Sequence, residues 1–261
     1  MALPPVPPTA TTELTRTVLA PNPGPMTLEG TNSYVIGRRG AGAVIVDPGP
    51  ADERHLSALG AARDVQLILI THRHPDHTEG AARLHELTGA PVRAADPVHC
   101  HGGGTPLAGP ERIESAGVVI EAVPTPGHTD DSVSFLLPDD GPGGSMLTGD
   151  TILGRGTTVI AHPDGSVADY LRSLDRLQGY GAARVLPAHG PQLASLEQTC
   201  REYRDHRLLR LEQIREVLRR LGADATIDQV VDAVYTDTPA QVRFAAMKSV
   251  AAQLEYLRNQ Q

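Results

Sequence analysis

Short apolar runs rich in β-branched residues recur over the first 199 residues of the chain, and glycine or proline bounds most of them. Runs of this kind are typical of strands in a buried sheet. Helical spacing of apolar residues fills segments between them, as at 78–90 and 167–181. Because alternating strands and helices form sheets covered by helices, we predict an α/β (α+β) fold. The predicted strands begin at Asn32, Ala43, Val65, Gly117, Ser132, Ser145 and Ala183.

The pattern changes at about residue 200, where charged helical segments replace the strands. In the first of these segments, apolar residues at helical spacing predict one buried face. This apolar stripe consists of Leu208, Leu211, Ile214 and Leu218. We therefore predict a main domain over residues 1–199, with a flexible Pro-rich tail at 1–14, and a small helical domain over residues 200–261.

The composition argues against some classes of protein. The net charge of −8 gives no general attraction for a polyanion, and an aromatic content of 3% leaves few rings on which bases could stack. The charge is uneven, because residues 1–199 carry 13 Lys and Arg against 22 Asp and Glu, whereas residues 200–261 carry 10 against 9. Neither a signal peptide nor an apolar run of membrane length is visible, so we expect a cytoplasmic protein without membrane contact.

The stretch THRHPDH, residues 71–77, places three histidines and an aspartate directly behind the apolar run LILI. His72 and His74 are two residues apart, so in an extended segment they point the same way and can bind one metal ion. The chain then bends through a proline into a helix, which turns Asp76 and His77 toward a second point. The stretch therefore predicts ligands for two neighbouring metal ions.

Further candidate ligands follow later apolar runs. The motifs GHT, GD and AHG each place a ligand beside a glycine, which allows the backbone to turn sharply at a sheet edge. These ligands are His128, Asp150 and His189. Together with the first stretch, they give seven candidate metal ligands in four loops, enough for two coordination shells.

The motifs THRHPDH, GHT, GD and AHG, in this order, resemble the metallo-β-lactamase superfamily over roughly residues 15–199. The resemblance implies an αββα sandwich with a dinuclear zinc site at one edge of its two sheets. It also implies the ligand sets, which are His72, His74 and His128 for the first zinc ion, Asp76, His77 and His189 for the second, and Asp150 as a bridge. Iron or manganese can occupy such a histidine and carboxylate site as well.

Asp150 distinguishes between branches of this superfamily. Antibiotic-hydrolysing members commonly have Cys or Ser at this position, whereas the bridging Asp resembles that of ribonucleases, glyoxalase II and other hydrolases. The stretches LEGTNSYVIG, GHTDDS, GDTILG and HRLLRLEQI resemble the β-lactamase-like protein 2 type. That type joins the sandwich to a small winged-helix-like domain, and it includes an endoribonuclease that acts on single-stranded RNA.

Metal binding lowers the pKa of water to about 7, so a metal-bound hydroxide can serve as the nucleophile and no protein nucleophile is required. Asp76 is the predicted catalytic residue, which orients the hydroxide and can take its proton. Thr31 and Asn32, which by resemblance lie near the site mouth, and Arg155, in a glycine-flanked loop, are predicted substrate contacts. Turn chemistry and solvation also explain these three residues.

Four functions remain open from the sequence. The predicted metal centre suits a phosphodiesterase or endoribonuclease on single-stranded RNA, a thioester or ester hydrolase resembling glyoxalase II, or an enzyme with weak β-lactamase activity. In a fourth alternative, zinc only stabilises the fold. The seven ligands argue against it, because structural zinc sites usually hold one ion in a closed cage. The sequence carries no signal for the oligomeric state.

Overall fold

The computed structural model describes residues 9–62, 64–236 and 238–260, and its strands form two sheets. Strands pair in chain order within each sheet. The first sheet contains β1 (Thr9–Ala10), β2 (Thr15–Leu19), β3 (Asn32–Ile36), β4 (Ala43–Val46), β5 (Val65–Leu69) and β6 (Val92–Arg93). The second sheet contains β7 (Glu111–Ser115), β8 (Val118–Pro124), β9 (Val133–Leu137), β10 (Ser145–Gly149) and β11 (Arg184–Pro187).

Side-chain alternation along the strands gives each sheet two apolar faces. In β5, Leu67 and Leu69 belong to the buried cluster between the two sheets, whereas Ile68 belongs to a separate cluster on the opposite face. Phe135 of the second sheet packs in the same cluster as Leu67 and Leu69. The main core therefore lies between the sheets, and each outer face requires a cover of helices.

Helices supply that cover on both sides. The described residues contain α1 (Glu53–Gly60), α2 (Pro75–Thr78), α3 (Ala81–Thr88), α4 (Val167–Gln178), α5 (Leu196–Leu221), α6 (Ile227–Val234) and α7 (Arg243–Arg258), with short 3-10 turns at Pro97–His99 and Ala240–Val242. Buried residues of α1 and α3 join Ile68 on the first sheet, and those of α4 and α5 join Met146 and Val185 on the second. This arrangement confirms the predicted αββα fold. None of the described helices is both long enough and apolar enough to span a bilayer.

The carboxyl ends of several strands meet at one edge of the sandwich. In the first sheet β4 and β5 run parallel, and in the second β10 and β11 run parallel. Because β9 is antiparallel to both neighbours, β8 has the same direction as β10. The N–H of Val133 donates to the Thr71 carbonyl at 2.8 Å and joins the sheets at this edge. The loops that follow these strands consequently open on one side.

The region after residue 199 is helical through α5, α6 and α7, as predicted. We find no strand among its described residues, so the winged-helix detail stays a prediction, as does the division into two domains. Helix α5 begins at Leu196 and crosses the predicted boundary. Its buried residues share one apolar cluster with β10 and β11, so the core is continuous across that point.

The apolar stripe predicted for α5 is partly wrong. Leu208 is 42% exposed, and the neighbouring Arg207 is buried instead, at 4% exposure. The buried face is shifted because the guanidinium of Arg207 lies 5.3 Å from the ring centre of Tyr170 and donates a hydrogen bond to the Thr158 carbonyl.

Only part of the predicted flexible tail lies within the described residues, and its flexibility stays a prediction. Residues 1–8 of that tail lie outside the described residues, whereas residues 9–14 include β1. The backbone N–H of Leu14 donates to the buried carboxylate of Asp140 at 3.0 Å, and the hydroxyl of Thr12 donates to the same carboxylate at 2.6 Å. These bonds hold residues 12–14 against the turn between β9 and β10 of the second sheet.

Candidate metal centre

The loop after β5 carries four of the seven predicted ligands. The largely buried β5 delivers His72 to the sheet edge, where its ring is buried. The backbone is extended at His74, with φ −61° and ψ 145°, and Pro75 then begins α2 at a position where helices tolerate proline. The bend turns Asp76 and His77 toward a point beside that of the first two histidines, as the sequence predicts.

Three histidine nitrogen atoms converge on the first point. His74 Nδ1 lies 3.0 Å from His72 Nε2 and 3.0 Å from His128 Nε2. His128 arrives from the loop after β8 and is buried. Nitrogen ligands about 2.0–2.1 Å from a tetrahedral ion lie roughly 3.3 Å apart, so this triangle has about the size of one face of such a site.

Asp76, His77 and His189 form the second group, with candidate ligand atoms within 4.8 Å of one another. Asp76 Oδ2 lies 3.1 Å from His189 Nε2 and 3.4 Å from His77 Nε2. His189 follows β11 of the second sheet, and His77 lies in α2, which follows β5 of the first sheet. These two buried rings therefore reach the group from the ends of different sheets. The group has both imidazole and carboxylate donors.

Asp150 lies between the two groups. Its Oδ2 is 3.7 Å from His128 Nε2, and its Oδ1 is 3.3 Å from His189 Nε2. One carboxylate oxygen therefore faces each group, as a bridging ligand requires. The preceding Gly149 has φ +50°, and a Cβ there would lie 2.7 Å from the Thr71 side chain, so glycine is needed for this turn.

Four of the five candidate histidine ligands have buried rings, and each of these rings is held through its Nδ1 atom. The contacts are His72 to Thr71 Oγ1 at 3.1 Å, His77 to Asp47 Oδ2 at 2.9 Å, His128 to Val159 O at 2.7 Å, and His189 to Gly30 O at 3.1 Å. Carbonyl and carboxylate oxygens only accept, and the Thr71 hydroxyl already donates to Asp47, so we assign the ring proton to Nδ1 in all four histidines. The Nε2 lone pair is then directed into the site, where a metal ion can use it.

Asp47, which was not among the predicted site residues, is buried and accepts three hydrogen bonds. Besides its contact with His77, it accepts from the Thr71 N–H at 2.8 Å and from the Thr71 hydroxyl at 2.7 Å. The sequence does contain a signal for Asp47, because this aspartate follows the apolar run AVIV and stands close to a glycine, as the candidate ligands of the later motifs do. His128 is held by Thr158 and Val159, and no motif in the sequence indicates these two residues.

Burial and charge divide the site histidines into two classes. Burial lowers the pKa of His72 well below its usual range and that of His74 to about 4, and neighbouring histidines add to both shifts. Burial opposes the charged forms of His77 and His189 as well, but the adjacent carboxylates outweigh it and raise the pKa of each. Burial would raise the pKa of Asp76, yet the two adjacent histidines hold it well below its usual range. The second group therefore favours a cation.

Three of these ligand atoms are buried and have no hydrogen-bond partner within the described chain: His77 Nε2, Asp150 Oδ1 and His189 Nε2. His77 Nε2 and His189 Nε2 lie 3.7 Å and 3.3 Å from Asp150 Oδ1, but neither contact is a hydrogen bond. A buried polar atom without a partner costs about 1–3 kcal/mol. A divalent metal ion would satisfy all three atoms, and five imidazoles with two carboxylates are a donor set that such ions bind.

Two of the predicted substrate contacts have other partners. Thr31 is buried, and its hydroxyl donates to the Asp76 carbonyl at 3.1 Å. Asn32 is also buried, and its amide donates to the carbonyls of Pro187 at 3.0 Å and Gly190 at 2.9 Å. Both residues thus form hydrogen bonds with the backbone of ligand-bearing segments. A direct contact with substrate stays a prediction, and these partners do not favour it.

Two arginines in the ligand-bearing loops are paired with carboxylates. The third predicted substrate contact, Arg155, has its Nη2 2.5 Å from Glu29 Oε1, and both side chains are more than half exposed. Arg73 contacts three acidic residues, Asp130, Asp131 and Asp164. Together these six side chains carry two positive and four negative charges, so this part of the rim is acidic.

Comparison with known proteins agrees with this geometry. The family model of the metallo-beta-lactamase superfamily matches residues 26–189. A β-lactamase-like protein 2 homolog from Caenorhabditis elegans is 31% identical over 258 residues, which cover 92% of this chain and 82% of that protein. An atrochrysone carboxyl ACP thioesterase from Aspergillus fumigatus is 31% identical over 244 residues, which cover 86% of this chain and 74% of that protein.

A solved structure has the same fold. The metallo-β-lactamase family protein from Thermus thermophilus superposes with a TM-score of 0.78 at 24% identity. The match covers 94% of this chain and 93% of that one, and it therefore includes the C-terminal helices as well as the sandwich.

Proposed function

The chain belongs to the metallo-β-lactamase superfamily and is a hydrolase, and we propose that it uses two divalent metal ions to hydrolyse a thioester or ester. One observation carries this proposal. Seven side chains from four loops converge at one sheet edge, and three of their buried ligand atoms have no hydrogen-bond partner in the described residues.

In this proposal each group of ligands holds one ion. His72, His74 and His128 bind the first, Asp76, His77 and His189 bind the second, and Asp150 bridges the two. The lowered pKa of His72 and of His74 supports the assignment, because a neutral imidazole offers its lone pair to a metal without first losing a proton. Zinc is the default ion, and iron and manganese accept the same ligands.

Divalent ions bound here would lower the pKa of water to about 7 and polarise the carbonyl of a substrate. Asp76 is the catalytic residue in this proposal. Its side chain is 28% exposed, whereas those of His77 and His189 are fully buried. The carboxylate can therefore orient an attacking water and accept its proton. The lowered pKa of Asp76 keeps its carboxylate ionised, so it can bind a metal ion and accept a hydrogen bond from the attacking water.

The charges at the rim support an acyl substrate over a phosphate chain. Arg73 and Arg155 are paired with carboxylates, and the chain as a whole carries a net charge of −8. A polyanion would meet repulsion at this acidic rim, whereas a thioester or ester group is neutral. The 31% identity with a protein named as a thioesterase supports the same class of substrate.

Single-stranded RNA and β-lactams require the same proposed centre, so both belong in the test. The C-terminal helices contain many arginines, but several on the exposed face of α5 pair with acidic residues of that helix. Arg219, for example, lies 2.7 Å from Glu216 and 3.0 Å from Glu212. Such pairing weakens the general attraction for RNA that the endoribonuclease alternative needs.

The test compares four substrates with protein loaded separately with zinc, iron or manganese. They are an acyl thioester, an aryl ester, a chromogenic cephalosporin and a labelled single-stranded RNA. We expect the thioester or the ester to be turned over fastest, and Asp76→Asn to lower that kcat by at least about 100-fold. Asp175→Asn changes an exposed aspartate of α4 and should keep the wild-type rate. Faster cleavage of RNA, or full activity of Asp76→Asn, would overturn the proposal.

A further inference from the structure

Arg207 is a buried cation in the middle of α5. Its guanidinium donates to the carbonyl of Thr158 and lies 5.3 Å from the ring centre of Tyr170. In the described chain it is thus held by a carbonyl and an aromatic ring, and its Nε has no hydrogen-bond partner. Burying a charge without a carboxylate partner is unfavourable, and an apolar residue on this face would avoid that cost.

The carbonyl that Arg207 binds belongs to the segment that holds His128. Thr158 Oγ1 lies 3.1 Å from His128 Nδ1, and the carbonyl of the next residue, Val159, accepts from the same nitrogen at 2.7 Å. Arg207 therefore restrains the backbone between the two groups that orient this ring. His128 Nε2, on the other side of the ring, lies 3.0 Å from His74 Nδ1 in the first group of ligands.

Tyr203 lies one turn before Arg207 in α5 and contacts the other end of the same loop. Its buried hydroxyl donates to the Leu153 carbonyl at 2.8 Å and accepts from the Leu153 N–H at 3.1 Å. Leu153 follows Asp150 by three residues. The segment from 150 to 159, which contains Asp150 and supports His128, is thus fixed to α5 at both ends.

We propose that Tyr203 and Arg207 are positioning residues, through which the C-terminal region sets the geometry of the metal centre. Tyr203 fixes the backbone beyond Asp150, and Arg207 fixes the backbone that orients His128. The proposal rests on the proposed metal site, because these two side chains act only through its ligands. It gives the C-terminal region a function in the reaction that does not depend on contact with substrate.

The experiment measures metal binding first and activity second. Cobalt(II) affinity is determined by competition with a chelator, and the visible absorption of the bound cobalt reports its ligand geometry. We expect Arg207→Met to weaken binding by about 10- to 100-fold, as is common for residues that support metal ligands, and to shift the cobalt bands. Tyr203→Phe, which removes only a hydroxyl, should do the same to a smaller degree. Both should lower kcat on the acyl thioester with little change in KM.

Arg204→Met is the matched control, because Arg204 lies on the exposed side of the same helix and pairs with Asp175. It should keep the wild-type affinity and spectrum. Arg207→Lys retains the charge and one donor and should recover part of the affinity lost in Arg207→Met.

Wild-type affinity and spectrum in Arg207→Met and Tyr203→Phe would overturn the proposal, even if both variants were less stable to heat. If Arg207→Met does not fold, Arg207→Lys and Tyr203→Phe decide the question by the same readouts. A wild-type protein that binds no cobalt would instead refute the proposed metal site itself.

Discussion

Asp47 Oδ2 lies 2.9 Å from His77 Nδ1, and both side chains are buried. The same carboxylate binds the N–H and hydroxyl of Thr71, which directly precedes the first histidine of the site. Asp47 also has φ +52°, a conformation that favours glycine. An aspartate kept in this conformation suggests a specific role, and its contacts identify that role as holding the ring of His77 and the ligand loop together.

We expect Asp47→Asn to weaken divalent metal binding by about 10- to 100-fold. The substitution keeps the size of the side chain but removes the negative charge that favours a cation in the second group. Affinity measured by competition with a chelator tests this expectation. Asp175→Asn, an exposed aspartate that pairs with Arg204, is the control and should bind metal as the wild type does. Equal affinity in Asp47→Asn and wild type would show that the pair has only a structural role.

We expect Asp150→Asn to lower the bound metal from two ions per chain to about one, because each carboxylate oxygen faces a different group of ligands. An amide offers one oxygen and no negative charge, so it cannot replace the bridge. Elemental analysis after dialysis against metal-free buffer measures the stoichiometry. Retention of two tightly bound ions in the variant would rule out bridging by Asp150.

The convergence of the candidate ligands could be predicted from the sequence, because each one follows an apolar strand and its loop can be recognised locally. The carboxyl ends of strands in one direction meet at one edge, so recognising the strands also placed His128, Asp150 and His189 near the first stretch. Asp47 could have been found by the same rule, since it follows β4 directly.

The contacts of α5 could not be predicted in this way. Arg207 and Thr158 are 49 positions apart, and no sequence motif predicts that they are in contact. Helical periodicity weighs only apolarity, so it placed Leu208 in the buried face and left the neighbouring arginine in solvent. Tertiary contacts, here a carbonyl and the Tyr170 ring, decided which of the two side chains is buried.

We expect Arg155→Ala to change kcat/KM by less than about threefold. Arg155 pairs with Glu29 in an exposed position, where solvent screens the two charges, so the pair contributes little. Steady-state kinetics on the acyl thioester provide the test, with Glu29→Gln as the companion variant that removes the partner. A rise of KM by tenfold or more in Arg155→Ala would instead support the substrate contact that the sequence predicts.

His55 should make the stability of the fold depend on pH. It is buried beneath the Asp47 loop, and its Nε2 lies 2.8 Å from Ser33 Oγ. Burial lowers the pKa of His55 from 6.5 to about 4, against the opposing effects of the Asp52 charge and a hydrogen bond with Pro48. The His55 ring is therefore protonated at a lower pH in the folded state than in the unfolded state.

Proton linkage gives the direction in which the free energy of unfolding changes with pH. Between pH 6.5 and about 4 the unfolded chain binds a proton at His55 and the folded chain does not, so the free energy of unfolding falls as the pH falls through this window. The shift corresponds to a loss of at most about 3 kcal/mol. In His55→Gln this contribution disappears, whereas the contributions of the candidate metal ligands remain. Urea unfolding of both proteins at several pH values should give a shallower decline for the variant, and parallel declines would show that His55 does not cause the pH dependence.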